Sequence, residues 1–431
     1  MLKLLYVLIL FCSVANLSLG QKCVHDDERI ILEAEIEANR IALKKSGKLH
    51  SNRRMPQPVL KWPLRQANGI SDPGYHTISN YVDVNPNDTI LGDYNCGTRT
   101  YEGHRGIDIA ITPFDWNKVA TNEVEVIAAA GGVIIKKQDN QFDQHCFRDS
   151  TASWNLIVIE HSDGSTTWYG HMKTGFLTQK DTGEVVVTGE YLGVVASSGK
   201  STGPHLHFEV HNWDNVITDP FGGACNPNGV FSSWWETQPK YTDSAINKLM
   251  TSEQPYNTMP CPQLADIFEE DVYNPGDSIF FSAHYRHDLT SNETRLTAIS
   301  PDGNISPILD TTYSRTGSSF VKSWDVLLAS RLPINAMKGK WKFKARYDTS
   351  ISGVLNYEKE FWVKETCTVD KTLSGTHSVD RYYATTNSLS STATVLVGKH
   401  IVYNPENFTV LNPGFQARAG SKVEVKTEGC N

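Results

Sequence analysis

Nowhere in this sequence do two cysteines stand close enough to make a Cys-x-x-Cys pair. A thiolate zinc knuckle is thereby excluded, and any metal must be held by histidine and carboxylate. Positive charge is not in excess either: 40 Lys and Arg against 48 Asp and Glu leave a formal net charge of −8. No nucleic-acid partner is expected, because no general attraction to phosphate follows from that balance. After the first twenty residues no apolar run is long enough to cross a bilayer, so no membrane span is expected.

What is present begins with "MLKLLYVLILFCSVANLSLGQKC", where Lys3, a short apolar run and small residues ending at Gly20 read as a secretory signal peptide over residues 1–20. The expected product is exported, either extracellular or periplasmic. Loss of Cys12 with the signal leaves seven cysteines, an odd number, in an oxidising compartment. Cys367 with Cys430 and Cys225 with Cys261 are the expected pairs, although order along a chain does not fix connectivity.

Organisation follows from texture. Residues 21–58 hold an amphipathic stretch, "DDERIILEAEIEANRIALKKS", with acids early and lysines late as a helix dipole prefers, then a linker. This helix either packs on the next domain or acts as a removable pro-segment. Residues 59–235 turn to short apolar or alternating runs punctuated by Gly, Asn and Asp, with a hairpin at Asp163-Gly164. A polar connector, 236–263, leads to a β-sandwich expected over 264–365 and a short-strand, repeat-like β module over 366–431. The fold class expected is mainly β, with an antiparallel sheet in the first large domain. His284, His287, His377 and His400 read as surface residues of the later modules.

Chemistry concentrates in three motifs of the first β domain. "GHRGIDIA" contributes His104 and Asp108, "TTWYGHM" contributes His171, and "STGPHLHFEV" contributes His205 and His207. On an extended strand, side chains two residues apart share one face about 6.5–7 Å apart. His205 and His207 therefore look into one cleft while Leu206 turns to the opposite, buried side. A catalytic zinc needs about three protein ligands and one open position for water. His104, Asp108 and one imidazole of the His205/His207 pair meet that need, and spacing alone does not say which. Glu209 shares their strand face and is a candidate to orient an imidazole from behind. By the same alternation His211 faces the cleft; His161 reads as a strand-end residue, and His145 has no assignment.

In order and spacing these motifs resemble the lysostaphin-type (murein-hydrolase) family of zinc metalloendopeptidases. The resemblance covers about residues 59–220, and Gly-Pro-His-Leu-His-Phe-Glu is its most specific part. It implies a β-sheet groove in which His104, Asp108 and His207 bind zinc while His171 and His205 act in catalysis. "NLIVIEH" is similar to the family's strand before the "WYGHM" hairpin and places Asn155 beside the site. The implied substrate is a peptide cross-link of bacterial cell-wall peptidoglycan, or a Gly-rich peptide, cleaved by metal-activated water. Long loops at 72–100 and 137–153, with Cys96 and Cys146, depart from the family pattern. The competing reading, a non-catalytic wall-binding or activator protein that kept the fold, fits a chain with ligands missing. Here all five positions are filled.

Overall fold

The computed structural model describes residues 26–85, 90–148 and 152–430. The expected signal peptide, residues 1–20, lies outside them, as do Cys12 and Cys23. The protein is mainly β, as its sequence texture implies, and divides into two compact units.

The first unit runs in its described part from Asp26 to Asp243 and takes in Thr258–Asp266. Seven strands form one antiparallel sheet in the order His76–Asn80, Ile107–Ile111, His205–His211, Thr166–Gly170, Leu156–Glu160, Gly132–Gln138 and Val185–Val186. The two-residue alternation of a strand sorts their side chains. Ile107, Ile109, Ile157, Ile159, Tyr169, Leu206, Phe208 and Val210 enter one large core. A three-stranded sheet, Leu64–Gln66, Val124–Ile127 and Tyr191–Val194, adds Leu64, Val124, Val126 and Leu192 to it. The opposite face carries Leu156, Val158 and Trp168, and at its other end the histidines of His205–His211.

The helix Asp26–Lys45 lies on that second face. Leu32, Ile36 and Leu43 recur on one side at helical spacing and pack against Ile135, Trp154, Leu156, Val158 and Trp168. Burial of such side chains stabilises by roughly 1.5–3 kcal/mol each. Asn39 donates to the Ile135 carbonyl at 2.9 Å, and Lys136 pairs with Glu35. The helix stops where Gly47 takes φ +70°, a conformation that L side chains resist. A division at residue 58 therefore cuts through one packed body: apolar periodicity shows that the helix is amphipathic, not which surface it covers.

The second unit, Ser244–Asn257 with Ile267–Asn431 (described to Cys430), holds two sheets around a core of Ile246, Phe281, Leu296, Phe343 and Phe361. One sheet is three-stranded and antiparallel; the other has five strands, with only Val272–Tyr273 running parallel to its neighbour. From Thr368 onward the pairing becomes parallel throughout. Thr368–Leu373, Arg381–Ser391, His400–Pro405 and Lys422–Val425 form one ladder, and Thr376–His377, Thr394–Val395 and Gln416–Ala417 another. Successive coils of chain stack here as a short β-coil. Three of the four histidines expected at the surface are buried instead: His284 lies against Tyr256, His287 against Phe320, and His377 stands level with the core residue Val395.

Three disulfides join Cys96 to Cys225, Cys146 to Cys261 and Cys367 to Cys430. The last pair is as expected. The pairing of Cys225 with Cys261 is overturned: each instead fastens one of the long loops, 72–100 or 137–153, that surround the sheet.

Candidate metal centre

Register, not proximity in sequence, assembles the site. Across the two central strands His207 stands directly opposite Asp108, and on its other side opposite Gly170, the residue before His171. His104 comes in from the turn before Ile107–Ile111. Its Nε2 lies 3.1 Å from Asp108 Oδ1 and 3.3 Å from His207 Nδ1, and His207 Nδ1 lies 2.8 Å from the same carboxylate oxygen. Among the described residues this is the one His/Cys/Asp/Glu group whose ligand atoms converge within 4.8 Å.

The outward nitrogens fix the tautomers. His104 Nδ1–H donates to the Tyr81 carbonyl at 2.7 Å, and His207 Nε2–H donates to Glu209 Oε1 at 2.9 Å. With those protons turned outward, each ring points its other nitrogen inward, toward the other ring and toward Asp108. Two imidazole nitrogens and a carboxylate oxygen converging at about 3 Å form a group that could hold a metal ion. Two nitrogens and one oxygen form a donor set that suits zinc. Burial disfavours the charge of Asp108, yet His104 and His205 outweigh it and hold its carboxyl well below the usual range. Asn80 donates to its second oxygen at 3.1 Å.

Close packing limits movement of the ligands. A Cβ at Gly106 would come within 2.7 Å of His207 Nε2, so the second glycine of "GHRG" is needed for the ring to lie against the backbone. Tyr101 stacks on His104 with centroids 4.1 Å apart.

His171 and His205 stay outside the converging triad but beside it, their ring centroids 4.5 Å apart. His171 Nδ1–H donates to the Ser198 carbonyl at 2.5 Å, and His205 Nδ1–H to the Gly203 carbonyl at 2.8 Å. In both, Nε2 is left as the basic nitrogen. His205 Nε2 lies 3.5 Å from Asp108 Oδ1. A cavity of about 200 Å³ opens beside them, lined among others by Asn80, Tyr101, Asp115, Arg148, Lys200 and His205.

Glu209 sits behind His207, fully buried. Burial would raise its pKa; Arg29, with hydrogen bonds from His207 and His211, instead holds it well below the carboxylate range. Asn155 makes no such contact. Its side chain accepts from the Gln141 N–H at 2.8 Å and donates to the Met172 carbonyl at 2.9 Å, clamping the chain next to His171. His211 gives Nε2–H to Glu209 Oε2 at 2.8 Å. His161 bonds Gly131 and Thr167 away from the triad, and His145 sits in its loop against Phe142.

Sequence reasoning missed the carbonyls of Tyr81, Ser198 and Gly203, which carry no side-chain signal, and Tyr101, one tyrosine among many. It also missed Arg29, 180 residues from its partner Glu209.

The model of Peptidase family M23 matches residues 102–220. The Peptidoglycan DD-endopeptidase ShyC of Vibrio cholerae is 32% identical over 112 residues, 26% of this chain and 21% of that protein. The DD-carboxypeptidase/endopeptidase Mpg of Neisseria meningitidis is 33% identical over 111 residues, 26% of this chain and 20% of that one. The chain thus spans about a fifth of the length of these curated relatives. Among solved structures, the catalytic domain of lysostaphin from Staphylococcus simulans aligns at 22% identity, over 33% of this chain and 85% of that one, with a TM-score of 0.21. Residues 102–220 of this chain are a domain of peptidase family M23, the lysostaphin-type family.

Proposed function

We propose that the protein is an exported zinc endopeptidase that hydrolyses peptide cross-links of bacterial peptidoglycan, or Gly-rich peptides of similar shape. One observation carries the reading: three lone-pair donors, His104 Nε2, His207 Nδ1 and Asp108 Oδ1, face one another with two uncoordinated imidazoles alongside. Those three atoms would hold the ion. When bound, zinc supplies a Lewis acid that lowers the pKa of its water toward about 7 and polarises the scissile carbonyl.

The remaining steps belong to the chain. His171 and His205 each present a basic Nε2, fixed by a backbone carbonyl behind the ring. One accepts the proton as the water oxygen attacks the carbonyl carbon. The other, protonated, donates to the oxyanion; the captured proton passes to the amine nitrogen as the C–N bond breaks. The cavity of about 200 Å³ beside Asp108 and His205 suits small side chains. Three disulfides favour an oxidising location, extracellular or periplasmic.

The test is digestion of purified peptidoglycan and of a Gly-rich peptide, with new amino termini identified by mass spectrometry. Chelator-stripped protein should be inactive and should recover with zinc. Zinc-loaded protein that binds wall material without releasing amino termini would support the non-catalytic reading instead.

A further inference from the structure

We infer that Arg29, on the N-terminal helix, is a positioning residue of the metal centre, setting the ring of the ligand His207 through the Glu209 carboxylate. The inference rests on the reading of His104, Asp108 and His207 as zinc ligands.

Arg29 is only 5% exposed, although it lies near the start of a surface helix. Its guanidinium donates to Glu209 Oε1, the oxygen that also accepts His207 Nε2–H at 2.9 Å. The other oxygen, Oε2, takes His211 Nε2–H. Arg29 is itself held on further sides: it reaches Glu33 at 3.3 Å and lies over the Trp168 ring at 5.1 Å. Trp168 stands opposite Glu209 in the sheet and stacks on His211, centroids 4.7 Å apart and planes 4° from parallel. A chain of fixed groups therefore runs from the helix to the nitrogen whose ring partner faces the metal. A carboxylate bonded directly to a ligand imidazole, as Glu209 is to His207, is worth about 10–100-fold in metal affinity, which bounds what Arg29 contributes through it.

The same helix supplies an internal control. Arg40 is eleven residues on, about three turns, so it shares the face of Arg29. It grips Glu160, 1% exposed and on the same face of the sheet, and Lys44 stands 3.9 Å from that carboxylate. No metal-ligand histidine is bonded to Glu160. Arg29 and Arg40 dock the helix alike; Arg29 alone of the two reaches the centre.

The experiment uses the full chain with zinc and cobalt(II) as probes. Zinc affinity is read by competition with a chromophoric chelator, and ligand geometry by the visible absorption of the cobalt form. Arg29→Met should weaken zinc by at least several-fold and at most about 10–100-fold, and alter the cobalt bands. Arg40→Met should leave both as in the wild type while lowering the melting temperature by a comparable amount. Arg29→Lys should restore most of the affinity, and Arg29→Met should add little in a Glu209→Gln background. Wild-type affinity in Arg29→Met, or equal weakening by Arg40→Met, would overturn the inference. If Arg29→Met does not fold, Glu209→Gln against Glu160→Gln decides by the same readouts, equal effects overturning it. A wild-type chain that takes up no zinc would remove the ligand assignment itself, a distinct result.

Discussion

Glu209 and Asp219 are two carboxylates sealed inside the same domain, 0% and 4% exposed. Glu209 is stabilised as an anion by the Arg29 guanidinium and two imidazole N–H groups. Asp219 receives the Phe221 N–H at 2.9 Å, but burial and the neighbouring charge of Asp93 push its pKa up to about 8. Equal burial has opposite outcomes, decided by what was brought in to face each group. Glu209 holds its charge because a helix far away in sequence delivers an arginine. That charge in turn gives His207 its tautomer.

The largest way to break this contrast is to remove the helix. A chain starting at Ser46 strips Leu32, Ile36 and Leu43 from the sheet and leaves Glu209 and Glu160 without Arg29 and Arg40. Removing one partner of a buried ion pair costs about 3–5 kcal/mol, and domains are stable by only about 5–15 kcal/mol. The expected result is loss of soluble, folded protein, read by yield and circular dichroism. A truncated chain that folds and binds zinc normally would show the helix to be a detachable pro-segment.

Next in size is the pair on the strand itself. His207→Ala should lose both zinc and hydrolysis, whereas His205→Ala should keep near-normal zinc content and lose about 10²–10⁴ in rate. Metal analysis beside turnover of wall peptides checks both, and equal metal loss in the two contradicts the division of roles.

The smallest effect sharpens the Asp219 side. Its folded pKa, about 8, lies above its unfolded value of 3.8. Between those values the folded chain keeps a proton that the unfolded chain has released. The stability this confers is full below about pH 4 and is lost as pH rises through about 8. Asp219→Asn removes that dependence, so its melting temperature should gain on the wild type by roughly 4 °C or more between pH 5 and 8.5. Parallel curves would contradict the assignment.

Much of the centre was legible because its chemistry sits in side chains of rare type at strand spacing. "GPHLHFE" exposes a two-residue alternation that places His205, His207, Glu209 and His211 on one face and Leu206 and Phe208 in the core. The division between His205 and His207 was not legible from spacing. In the fold the two rings differ in what each leans on, a backbone carbonyl at Gly203 for one and the Glu209 carboxylate for the other. The disulfide partner of Cys225 was hidden for a related reason. Loop closure over 129 residues depends on the sheet order, which places Cys96 beside it. Arg29 looked like one more charge on an amphipathic helix until the sheet face beneath it was known.

The most direct test of the account is anomalous diffraction at the zinc edge from crystals of the zinc-loaded protein. One peak is predicted, about 2.0–2.2 Å from His104 Nε2, His207 Nδ1 and Asp108 Oδ1, with His171 and His205 uncoordinated. A zinc ion bound through His205 or His171, or one that leaves Asp108 free, would contradict it.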